Sequence, residues 1–166
     1  SKIILNHDPH KSGDIFENYL SNYNHGTLIL NIKESGIETE VIKIATKFQI
    51  KSFFLLDVEL PFIFQSNKNT NKNISIRYSE YEPIGIAKKF INNIGWIWID
   101  TFTKLPLDKN IVTTLKKFKS CLVCPERWGR PKDIKPYFKK MKKINFFPTS
   151  VMTAKKYFKI WENLSR

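Results

Sequence analysis

Phe53-Phe54-Leu55-Leu56-Asp57 is four bulky apolar residues in a row, closed by a carboxylate. A strand with one wet face alternates apolar and polar residues; an unbroken run of this kind is buried on both faces. The pattern returns at Leu28–Ile32, Ile74–Tyr78, Trp96–Ile99, Cys121–Cys124 and Ile144–Phe147, at a spacing of roughly 20–25 residues. Between these runs lie stretches of helical period. Gly36–Phe48 places Ile37, Val41, Ile44, Ala45 and Phe48 on one face, and Pro83–Asn93 does the same with Ile84, Ile86, Ala87, Phe90 and Ile91. Asp108–Phe118 opens on a good N-capping residue. Lys132–Lys143 and Ser150–Leu164 complete the helices, the latter carrying Val151, Ala154, Tyr157, Phe158 and Trp161 as its apolar residues. Glu59–Gln65 reads as a short helix and Asn67–Asn73 as a polar loop.

Strand then helix, six times over, means parallel strands joined by crossover helices. A doubly wound sheet would want a glycine-rich turn after its first strand, and the six glycines are scattered. Regular spacing and polar residues at the strand ends favour a barrel. Only a short strand, Lys2–Asn6, and a short helical stretch, Asp14–Asn22, precede the six units. The expected fold is therefore α/β: an incomplete, TIM-barrel-like parallel (β/α) barrel of about six units plus an N-terminal hairpin strand, in one domain spanning 1–166.

Composition narrows the classes. A chain of 166 residues that is 42% hydrophobic and 14% aromatic is too apolar for disorder and long enough to bury a core. No run approaches a membrane span, and the N-terminus is too short in apolar residues for a signal peptide. Two cysteines are too few for a disulfide scaffold, so a cytoplasmic setting is expected. The net charge of +13 comes almost wholly from lysine, in company with abundant isoleucine and asparagine, as an AT-rich genome would give. No nucleic-acid-binding motif accompanies it, so no specific nucleic-acid partner is expected. Cys121 and Cys124 mimic a C-x-x-C pair, but positions three apart on a strand face opposite ways, so both are read as core residues.

In a barrel the chemistry sits at the C-terminal strand ends. Those positions carry His7-Asp8-Pro9-His10, then Asn31 and Lys33, then Asp57, then Arg77 with Ser79 and Glu80, then Asp100, then Glu126, Arg127 and Arg130. A ring of cations and carboxylates suits an anionic ligand. His7 is a candidate general acid or base with Asp8 as its orienting partner. Lys33 stands at what reads as a buried strand end, where an unpaired lysine is rare. Asp57 and Asp100 serve equally well as helix caps. Arg77, inside an apolar strand, points to a paired or ligand-binding role. Trp96 and Trp98 share one face, where they fill space.

His7-Asp8-Pro9 after an apolar strand, an amphipathic stretch, and then Leu30-Asn31-Ile32-Lys33 resembles the middle of the glycerophosphodiester phosphodiesterase family, one of the phosphatidylinositol-specific phospholipase C-like barrels. Phe53–Asp57, Arg77-Tyr78-Ser79-Glu80-Tyr81-Glu82-Pro83, Gly95–Asp100 and the stretch from Cys124-Pro125-Glu126 to Gly129-Arg130 look like a bacterial branch of it. The resemblance covers nearly the whole chain and rests on the order of short motifs. It implies phosphodiester hydrolysis by two histidines and a divalent cation, Mg²⁺ or Ca²⁺. His7 matches the second histidine and Lys33 the lysine of the third barrel strand, while Asn31 falls where a metal-binding carboxylate would stand. The first histidine's His-Arg-Gly and the Glu-x-Asp metal pair have no counterpart, and the chain matches barrel strands three to eight only.

The resemblance thus implies a phosphodiesterase-like barrel that hydrolyses or binds a phosphodiester of a polyol or sugar, with His7 and Lys33 as catalytic candidates. Asp8, Asn31, Arg77, Glu80, Asp100, Glu126 and Arg130 are the candidate substrate-binding residues. The alternative is a non-catalytic phospholigand-binding or accessory protein. An open six-strand barrel exposes two edges, so the gap is expected to be filled by rearranged N-terminal residues, a swapped or preceding segment, or a second copy of the chain.

Overall fold

The computed structural model describes residues 2–8, 11–66 and 71–165. His10 and residues 67–70 of the expected 67–73 loop lie outside them; residues 71–73, expected in that loop, belong to a strand. An antiparallel hairpin, β1 (Ile4–Leu5) and β2 (Asp14–Ile15), leads into α1 (Phe16–Leu20). Six strands follow: β3 (Leu28–Asn31), β4 (Phe53–Leu56), β5 (Asn71–Tyr78), β6 (Ile94–Ile99), β7 (Lys119–Val123) and β8 (Ser150–Met152). The helices between and after them are α2 (Glu38–Lys47), α3 (Leu60–Ser66), α4 (Ile84–Lys89), α5 (Lys109–Leu115), α6 (Ile134–Lys143) and α7 (Phe158–Ser165).

All six strands pair in parallel and in sequence order, β3 to β8, in one sheet curled into a half-barrel with helices along its flank. A doubly wound sheet would reverse its order once; this one never does. β4, β6 and β7 are buried on both faces almost throughout, as their unbroken apolar runs require, while β8 at the sheet's edge is half-buried. On the helix side, Ile74, Ile76, Ile97, Ile99 and Leu122 pack with Leu115, Ile134 and Met141. On the concave side, Phe54, Leu56, Trp96, Trp98, Cys121 and Val123 form a second cluster. Phe54 and Trp96 stack with ring centroids 4.7 Å apart, so aromatic volume fills the concavity. Cys121 lies in the concave cluster and Cys124 in the helix-side one, on opposite faces.

Gly95 is a point of close approach between β5 and β6. A Cβ there would lie 2.1 Å from the Lys72 carbonyl oxygen, beside the register shift between Asn71 and Ser75. Only glycine admits that approach.

Phe16 and Leu20 are buried with Leu28, Leu30, Val41 and Ile44, and Ile3 and Leu5 pack against them. The N-terminal residues thus cover the flank of β3 without adding a strand to the sheet, which ends at β3 and β8.

Two expectations need correction. Ile144–Phe147 is not the last strand, and Ser150–Leu164 is not one helix. Lys142 and Met141 carbonyls accept from the amides of Asn145 (3.1 Å) and Phe146 (3.0 Å), with Asn145 at φ 52°. That is a Schellman C-cap, in which the apolar residue after the left-handed one folds back onto the helix. Phe146 is buried for this reason. The last strand comes afterwards, as Ser150–Met152, and the helix proper begins at Phe158.

Candidate functional site

Asn31, Arg77 and Trp98 project from the concave face of β3, β5 and β6, Arg77 lying level with Trp98 in the strand register. Asp57 follows the last residue of β4 and adopts φ 61°. A non-glycine residue in that conformation is strained by about 1–3 kcal/mol. Its carboxylate accepts two bonds from Arg77, from Nε at 2.6 Å and Nη2 at 3.0 Å, and one from Asn31 Nδ2 at 2.9 Å. The third arm of the fork, Arg77 Nη1, donates to Asp100 Oδ2 at 3.0 Å.

Asp100 is 3% exposed and holds the network from beneath. The Trp98 indole donates to its Oδ2 at 3.1 Å, and the Trp128 indole and the Thr101 amide donate to its Oδ1 at 3.1 and 2.9 Å. Neither aspartate is a helix cap: each spends its oxygens on Arg77 and its neighbours. Burial alone would raise the Asp57 carboxyl, but the hydrogen bonds and charge of Arg77, with help from Asn31 and Lys33, hold it below the usual carboxylate range.

Further round the rim, Arg130 is equally committed. Its Nη1 donates to Asp133 Oδ2 and to the Tyr137 hydroxyl, both at 2.7 Å, and its Nη2 to the carbonyls of Thr101 and Phe102. Glu80 accepts from the Thr103 amide at 2.6 Å and hydroxyl at 2.8 Å, which ties two strand-end loops together. Glu126 accepts from the Thr153 hydroxyl, while its other carboxylate oxygen is buried with no hydrogen-bond partner among the described residues.

The β1–β2 hairpin builds a second feature beside this network. A cleft of about 720 Å³ runs between the hairpin and the end of β3. Ile3, Leu5, Ile29, Ile37 and Val41 contribute apolar walls, and His7, Asp8, Lys11, Asn31, Lys33 and Glu34 contribute polar groups. His7 Nδ1 lies 3.1 Å from Asp8 Oδ1, and Lys11 Nζ donates to Asp8 Oδ2 at 3.0 Å. These two contacts hold the Asp8 carboxyl below its ordinary range, His7 first.

Four of the residues chosen from the sequence, His7, Asp8, Asn31 and Lys33, therefore line one cleft. Asn31 links that cleft to Arg77 and Asp100 through Asp57. Glu80, Glu126 and Arg130 stand elsewhere on the rim, bound to loop partners. Lys33 is exposed rather than at a buried end, because β3 stops at Asn31 and leaves Lys33 in the open loop. It forms no hydrogen bond or ion pair among the described residues.

The divalent cation that the resemblance implies fits poorly here. Among the described residues no group of three or more His, Cys, Asp and Glu side chains is placed to hold a metal. The two carboxylates that do converge, Asp57 and Asp100, have the Arg77 guanidinium between them, and the matching position on β3 is a neutral amide.

Sequence reasoning missed Trp128 and Thr101 as Asp100 partners and Lys11 as an Asp8 partner. Lys11 carried a signal, lying three residues beyond Asp8; Trp128, 28 residues from Asp100, carried none. No protein-family model, no curated protein and no solved structure matches this chain.

Proposed function

We propose that the chain is a binding protein for a small phosphorylated ligand, a phosphodiester or phosphomonoester of a polyol or sugar. The cleft between the hairpin and β3 takes the ligand. The observation that carries this reading is the convergence of His7, Lys11, Asn31 and Lys33 on one cleft with apolar walls. An ammonium and an amide N–H suit phosphate oxygens, and the apolar walls suit the carbon skeleton. Arg77 and Arg130 support the rim and keep their donors for Asp57, Asp100, Asp133 and Tyr137, so Lys33 supplies the spare positive charge.

Hydrolysis is the second reading, favoured by the His7–Asp8 pair. A carboxylate at Nδ1 leaves Nε2 to take a proton from attacking water or to give one to the departing alkoxide. Among the described residues His7 is the one imidazole that lines the cleft, and acting alone it would serve first as base and then as acid.

Calorimetric titration with glycerol 3-phosphate and glycerophosphocholine tests both readings. Binding is expected, and Lys33→Ala is expected to weaken it about tenfold. Absence of binding heat together with an unchanged melting temperature at saturating ligand would overturn the proposal. Release of glycerol 3-phosphate from glycerophosphocholine that disappears in His7→Ala would establish the hydrolytic reading instead.

A further inference from the structure

The positive charge is unevenly placed. Residues 131–166 hold nine lysines and Arg166 against two carboxylates, Asp133 and Glu162, which gives +8 of the chain's +13 in 36 of its 166 residues. Within residues 131–165 lie α6, β8 and α7, and α6 and α7 pack against each other. On α6, Lys135, Lys139 and Lys142 recur at the i, i+4, i+7 spacing of one helical stripe, and all three are exposed. Just before and within the first turn of α7, Lys155, Lys156 and Lys159 surround a shallow cleft of about 480 Å³ together with Phe158.

Apolar side chains stand out among these lysines. Phe158 is 57% exposed, Phe147 is 51% exposed and Ile160 is 38% exposed. Phe147 is held in place by Phe138 of α6, their ring centroids 5.6 Å apart. Exposed phenylalanines within a lysine-rich face put apolar area beside the charge. A surface with lysines around protruding apolar side chains matches the boundary of an anionic bilayer, where ammonium groups meet lipid phosphates and the apolar groups enter the acyl region.

We infer that the α6–α7 face is a docking surface for membranes bearing anionic lipid, and that it seats the protein there peripherally. This inference is independent of the ligand proposed for the hairpin cleft. Nucleic acid is the competing polyanion. It is disfavoured because the patch contains lysine alone among its described residues, without the arginine forks that grip phosphate and base edges.

Cosedimentation with phosphatidylglycerol-containing and pure phosphatidylcholine vesicles tests the inference. Binding is expected only to the anionic vesicles and is expected to fall as salt rises. K155E/K156E/K159E is expected to reduce it about a hundredfold. Phe158→Ala is expected to reduce it about tenfold at any salt concentration. K43E/K47E/K51E changes net charge by the same amount on exposed residues of α2 and the turn after it, and is expected to retain most of the binding. Equal loss in the two triple variants would reduce the effect to bulk charge and overturn the inference. So would absence of binding at low salt, equal binding to neutral vesicles, or tighter binding to DNA than to the vesicles. Far-UV circular dichroism of each variant establishes that the fold is retained.

Discussion

Arg77 stands between two carboxylates that would repel each other without it. Its planar fork serves both: two arms go to Asp57 and one to Asp100. Arg77→Met would leave the buried Asp100 and the strained Asp57 without their guanidinium partner, and is expected to cost about 3 kcal/mol in urea unfolding. The acid dependence has a definite sign. The folded state lowers the Asp57 carboxyl, so the ionic contribution is complete above the ordinary carboxylate value of about 4. It is lost as pH falls through the lowered folded value. Wild type and Asp57→Asn are therefore expected to differ by about 1–2 kcal/mol at neutral pH, the pair's side chains being 28% and 30% exposed, and to converge in acid as the carboxylate protonates. A urea midpoint gap that persists unchanged in acid would contradict this. Both aspartates could be picked out in the sequence because each closes an apolar strand. Their common partner could not be assigned from the sequence, since Arg77 lies 20 residues from one and 23 from the other.

At the scale of the element, strands with unbroken apolar runs were readable because burial on both faces leaves no polar position to confuse the period. β4 matches its run residue for residue, and Asp108 caps α5 as its residue type suggests, accepting from the amides of Asn110 and Ile111. The error came where an apolar run had another cause. Ile144-Asn145-Phe146-Phe147 looks like a strand, yet Ile144 ends a helix, Phe146 folds back on it and Phe147 faces outward. Asn145 was the signal, as one of the few residues that tolerate a left-handed backbone at a helix end. Asn145→Gly is expected to leave stability nearly unchanged, whereas Asn145→Val, β-branched at φ 52°, is expected to cost about 1–2 kcal/mol in thermal or urea unfolding. α2 ends in the same way, with Gln49 at φ 55° and the Ile50 amide bonded to the Ala45 carbonyl.

The whole molecule joins a half-barrel, a hairpin cleft at one side of the sheet and a lysine-rich face at the other. The class of fold was readable because six similar units in a row admit few arrangements. The position of the hairpin was not, because β1 and β2 are two residues each and carry no period of their own. The sequence order of the strands has one more consequence. Each strand bonds only to the units before and after it in the chain, so the structure behaves like a short stack, and opening can begin at either end without disturbing the middle. Amide exchange with deuterium is therefore expected to be graded by position. It should be fast in β3 and β8, which have one strand neighbour each, and slowest in β5 and β6. Uniform protection from β3 to β8 would show instead that the six units open as one. Under the graded pattern, the hairpin cleft and the lysine face both lie against the strands that loosen first, and a ligand at either would tighten its own end of the stack.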